Sequence, residues 1–169
     1  MSATHIVFLR AVNVGGTGKL PMAELKALAL ELGFQNPRTY IASGNLLFES
    51  DLSAEAAGAR LEARLAAYAG KPVGVLMRSP AELEALLAAN PFSEGLPNQV
   101  LVTLLSAPPV EALRAHGQQD EAWQLMGREL WVHYPSGVGR SMLRISGVEA
   151  GTARNLNTLR AVLAQCAAG

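Results

Sequence analysis

The stretch Phe8-Leu9-Arg10-Ala11-Val12-Asn13-Val14-Gly15-Gly16-Thr17-Gly18-Lys19 decides how the chain around it is read. Residues 5–12 form an apolar run with strand character that empties into a glycine-rich loop. Pro21 then opens a helix to about Leu32, striped by Leu25, Leu28, Ala29 and Leu32, with Gly33 as its stop. Glycines let backbone amides approach a ligand closely, and a helix N-terminus beyond them adds partial positive charge. The same chemistry also builds an ordinary tight turn.

Working outward, residues 38–42 and 46–49 read as two strands of a hairpin turned at Ser43-Gly44-Asn45. Ser53 caps a second helix striped by Leu61, Leu65 and Tyr68 and stopped by Gly70, and residues 73–77 make a fourth strand. The order βαββαβ is that of the ferredoxin-like unit. Ser79-Pro80 starts a short helix to about Ala89, and residues 91–98, rich in Pro, Gly and Ser, read as a linker. A strand at 100–105, a helix led by Pro108-Pro109 and stopped at Gly117, and a hairpin of 123–126 and 129–134 follow. Residues 137–145 read as loop or short helix, and 156–167 as the closing helix. The halves repeat each other faintly, as in Pro21-Met-Ala-Glu-Leu against Pro109-Val-Glu-Ala-Leu. The fold expected is α+β: two ferredoxin-like (α/β plait) halves from a duplication, at 1–78 and 99–169, joined by a connecting helix and linker at 79–98.

That topology predicts a site. A right-handed crossover leaves the first two strands parallel, so both end at one edge of the sheet. Arg10, Asn13, Gly15 and Gly16 should therefore lie near Ser43 and Asn45. The donors of this group suit a phosphate, a carboxylate or a nucleotide. Arg154 joins as a contributor from the second half, where four arginines between Arg140 and Arg160 face one acid, Glu149. The alternative is that Asn13 and Asn45 bond their own backbones and that the arginines are solvated.

These residues also carry a resemblance. Leu9-Arg-Ala-Val-Asn-Val-Gly-Gly16 and Thr39-Tyr-Ile-Ala-Ser-Gly-Asn45 resemble two signatures of the family called domain of unknown function 1697. Tyr134-Pro-Ser-Gly-Val-Gly-Arg-Ser141 and Thr152-Ala-Arg-Asn-Leu-Asn-Thr158 are similar to its C-terminal ones. The resemblance implies a duplicated ferredoxin-like fold in bacterial proteins, and no catalytic assignment. Ala11, Met142 and Leu156 stand where that pattern has glycine, lysine and tryptophan.

Other chemistries are missing. The loop is no P-loop: Asn13 occupies the first-glycine position and Leu20 replaces the magnesium-binding hydroxyl. His5, His116 and His133 have no metal-ligand spacing with each other or with Cys166, and Ser43 has no evident base partner. No cofactor or metal is expected. Trp123 and Trp131 read as packing residues flanking a hairpin. At 169 residues, half of them hydrophobic and with a net charge of zero, the chain can bury a core but lacks the basic excess of a bulk nucleic-acid binder. A single cysteine, no membrane-length apolar run and no signal-peptide pattern set the expectation of a cytoplasmic protein. The leading expectation is a binder of a small anionic ligand, with no reaction assigned. The alternatives are a nucleic-acid module or a protein-interaction module without a small-molecule site.

Overall fold

The computed structural model describes residues 3–10, 20–40 and 44–168. The chain is α+β, with antiparallel sheets, and divides into two compact units: Met1–Leu83 with Val162–Gly169, and Glu84–Ala161. No helix among the described residues is long and apolar enough to cross a membrane.

The first unit runs β1 (Ala3–Arg10), α1 (Met22–Glu31), β2 (Gln35–Tyr40), β3 (Asn45–Ser50), α2 (Ala54–Ala69) and β4 (Gly74–Arg78). Its sheet has the order β2-β3-β1-β4 with every neighbouring pair antiparallel. β1 is therefore central, and Ile6, Val7, Phe8 and Leu9 are at most 1% exposed. Alternation sends Val7 and Leu9 to one face, where Leu46, Phe48, Leu25, Leu28, Leu61 and Leu65 complete a core. Ile6 and Phe8 point to the other face with their register partners Leu47, Asn45, Leu76 and Arg78, all buried. The end of the last helix belongs to this unit, and its Gln165 carbonyl accepts from Arg38 Nη1 at 2.9 Å.

The helices end where local chemistry requires. Gly33, at φ 87°, closes α1: the Phe34 amide donates to the Ala29 carbonyl and the Gly33 amide to that of Leu30, a Schellman closure. Phe34 is thereby turned onto Phe48, with the ring centroids 4.0 Å apart. Ser53 Oγ accepts the Ala56 amide at the start of α2. In α3 (Pro80–Ala88), Ser79 and Glu82 exchange side-chain and backbone hydrogen bonds of 2.8 and 3.0 Å, a complete capping box. Tyr68, read as part of the α2 stripe, is 41% exposed instead.

The second unit contains β5 (Val100–Leu104), β6 (Arg114–His116), β7 (Ala122–Met126), β8 (Glu129–His133), β9 (Arg144–Ser146) and β10 (Thr152–Asn155), and the start of α4 (Leu156–Ala168). Asn155 Oδ1 accepts the Thr158 amide and caps α4. The main sheet has the order β10-β5-β8-β7, and β6 and β9 form a separate ribbon. Trp131, 1% exposed, is core as expected.

The helix expected over residues 109–117 does not form. Residues 109–113 are irregular, with a bend at Val110 and Glu111, and lead into β6. The proline pair and Gly117 gave start and stop signals, but the apolar side of such a helix has nothing to pack on: Val110 is 99% exposed. Pairing of residues 114–116 with β9 satisfies the backbone instead. Leu61→Ala should therefore lower the unfolding free energy by about 2–5 kcal/mol in urea titration. Val110→Ser should change it by less than about 0.5 kcal/mol, the response of an exposed loop residue.

Candidate functional site

The strand-end geometry expected from the topology is present in the described residues. Phe8 and Asn45 are register partners, and the Leu9 amide donates to the Gly44 carbonyl at 2.9 Å. The end of β1 and the start of β3 thus meet at one edge of the first sheet. Arg10 is exposed there, opposite Gly74 on β4. A Cβ at Gly74 would come within 2.9 Å of Arg10 Cβ and 3.5 Å of its Cδ, so the bare glycine makes room for the arginine stem.

Asn45 is fully buried, and its Nδ2 donates to the Tyr40 carbonyl at 2.9 Å. One of its amide donors thus braces the hairpin. Asn13, Gly15, Gly16 and Ser43 lie outside the described residues. Arg154 sits in β10 of the second unit, 8% exposed, with Nη1 donating to Thr152 Oγ1 at 2.8 Å and to the Ala153 carbonyl at 3.1 Å. Burial pulls its pKa down to about 10, which leaves it protonated at neutral pH.

Sequence reading missed the counterpart of Arg154. Arg78, on β4, is 2% exposed and donates Nη1 to the carbonyl of the preceding Met77 at 2.9 Å. The registers make the two arginines equivalent. Phe8 faces Asn45 and Leu76, while Leu104 faces Glu129 and Thr152. Arg78 opposite Ile6 therefore corresponds to Arg154 opposite Val102. The strand-end bond recurs too, from the Leu105 amide to the Arg128 carbonyl at 2.9 Å. The available signal was a charged residue closing an apolar strand, Val75-Leu-Met-Arg78, which reads equally well as a solvated strand end.

A second constellation lies at the open end of the β7–β8 hairpin. Ala122 pairs with His133 there, so residues 118–121 run beside 134–141, the third signature. Glu121, 6% exposed, ties the two segments: its Oε1 accepts the Gln119 amide at 2.6 Å and its Oε2 accepts the Ser141 hydroxyl. Ser136 donates in the same way to Asp120 Oδ2. The Ser141 hydrogen bond, with the Gln119 amide behind it, holds the Glu121 carboxyl below the ordinary carboxylate range. Burial, and then the Glu121 charge, push the Tyr134 phenol up. No group of three or more metal-binding side chains occurs among the described residues.

An α+β chain built on two four-stranded antiparallel sheets, with signature motifs at a strand end and a hairpin end, defines the class. The family model described as Protein of unknown function (DUF1697) matches residues 2–131, and the chain belongs to that family. The two C-terminal signatures fall beyond the matched residues. Among solved structures, the chain is similar to the conserved bacterial protein SP0830 from Streptococcus pneumoniae. The two are 22% identical with a TM-score of 0.73, over 97% of this chain and 98% of that one, a likeness of fold. A search of curated proteins finds no match.

The Glu121 contacts give a pH signature. A carboxylate whose folded pKa is lowered contributes stability that is present above its unfolded pKa and lost as pH falls through the folded value. The stability difference between the wild type and Glu121→Gln should thus be full above about pH 4.5, the ordinary glutamate value. It should shrink at lower pH in thermal melts.

Proposed function

We propose that the chain binds a small phosphate- or carboxylate-bearing ligand at the edge where β1 ends and the β2–β3 hairpin turns. The observation that carries this is the Leu9–Gly44 main-chain hydrogen bond, which brings the two N-terminal signatures to one place beside the exposed Arg10. Arg10 pairs with the anion; the amides of Gly15 and Gly16 cradle it; Asn13 and Ser43 orient it, and the buried Asn45 holds the hairpin through its hydrogen bond to the Tyr40 carbonyl. No reaction is assigned.

Burial of the sheet face that carries Ile6, Phe8 and Leu47 favours this reading over an RNA platform, which needs exposed bases and aromatic side chains to stack on that face. The lone cysteine supports a reducing, cytoplasmic setting. We also propose that the two sheets derive from one duplicated ferredoxin-like unit. Their common strand order, the equivalent strand-end bonds and the equivalent Arg78 and Arg154 support it.

The test is a thermal-shift titration with inorganic phosphate, pyrophosphate and AMP. The wild type should gain melting temperature in a saturable way with at least one of them. Arg10→Ala should melt at the wild-type temperature without ligand and lose at least tenfold in affinity. Gly74→Ala should weaken binding in the same direction by displacing the Arg10 stem. If Arg10→Ala unfolds, or binds as the wild type does, the reading fails.

A further inference from the structure

The constellation at the open end of β7–β8 lines an open hollow of about 340 Å³ within the second unit, formed by Gln119, Asp120, Glu121, Ser136, Arg140 and Ser141. At about 30 Å³ per water-sized group, it holds a ligand of roughly ten non-hydrogen atoms. Its polar groups are ordered from behind. The Ser141 and Ser136 hydroxyls are committed as donors to Glu121 and Asp120, and Ser141 Oγ also accepts the Leu143 amide at 3.1 Å. The Gln118 side chain donates to the Glu121 carbonyl at 2.7 Å and fixes the segment that carries both acids. The capacity left for a ligand is thus specific. Asp120 is exposed and retains acceptor capacity, while Arg140 is exposed on the rim with no ionic or hydrogen-bond partner among the described residues.

Charge selects among ligands. Asp120 and Glu121 against Arg140 leave the lining with a net negative charge, which repels a simple anion. Arg140 in turn repels a simple cation. A molecule that carries both charges avoids both penalties, with an ammonium on Asp120 and a carboxylate on the guanidinium fork. We infer that this hollow is a binding site for a small zwitterion of the α-amino-acid class, held between Asp120 and Arg140. This inference does not rest on the reading proposed for Arg10.

Amide NMR titration of the full chain tests it, with L-serine, L-glutamine and L-lysine each raised to roughly 10 mM, where a millimolar site saturates. Sodium acetate and methylammonium chloride serve as the single-charge controls. At least one amino acid should shift amides of residues 117–121 and 134–141 in a saturable way, with each control at least tenfold weaker. Arg140→Ala and Asp120→Asn should each weaken that response at least tenfold without a change in melting temperature, because both side chains are exposed. Arg10→Ala should leave it unchanged, which separates this site from the first. The inference is overturned if no amino acid gives a saturable shift, if either control binds as well, or if either variant binds as the wild type does.

Discussion

β1 has no free edge and no free face. It pairs with β3 on one side and β4 on the other, and its middle residues are closed off above and below. A strand in that position can bear function only at its ends, because every side chain along its middle is spent on packing. At its described C-terminal end the Leu9 amide donates to the Gly44 carbonyl, and the exposed side chain of Arg10 follows. The packing of the core therefore dictates where recognition chemistry can sit.

Much of this was legible because the signals were local. Ser53, Ser79 and Gly33 cap or close helices through bonds to residues at most five positions away, which short-range patterns encode directly. The hairpin at Gly127-Arg128 follows from the same kind of signal, whereas the strand order of the first sheet follows from the βαββαβ succession. The segment at 109–117 failed because its signals were also local and were overruled. Proline and glycine mark where a helix is permitted, but a helix persists only when one side is buried, and Val110 has no such surface. The ribbon of β6 with β9 joins residues about thirty positions apart, a pairing that no window on the sequence contains.

Site legibility divides along the same line. Arg10 could be placed from topology alone, since it needed only the parallel relation of β1 and β2. Glu121 could not. Its importance comes from the Ser141 hydroxyl, twenty residues on, and from the burial of a carboxylate that in sequence is one of two adjacent acids before a strand. The third signature was visible, yet its partner segment became apparent only once β7 and β8 were paired with their open end at Ala122 and His133. Arg78, and the burial of Arg154, were opaque for a further reason. Each ends or nearly ends a strand, where a charged residue normally reaches water, and each is instead held inside by hydrogen bonds to its own strand.

The equivalence of the two sheets also explains why the two proposed sites differ. In the first sheet the strand-end bond from Leu9 is followed by Arg10 and a glycine-rich run; in the second the matching bond from Leu105 is followed by Ser106-Ala107-Pro108-Pro109. After Leu105 the second strand end thus lacks the counterpart of Arg10 and the glycine-rich run proposed for the anion, and proline removes two of its amides outright. Its hairpin, conversely, opens onto two acids and two serines, whereas the start of β2 carries Gln35, Asn36 and Pro37 on an edge strand with a register shift. The two sheets share one strand order, so it is the residues at their ends, not the order of the strands, that distinguish the two proposed sites.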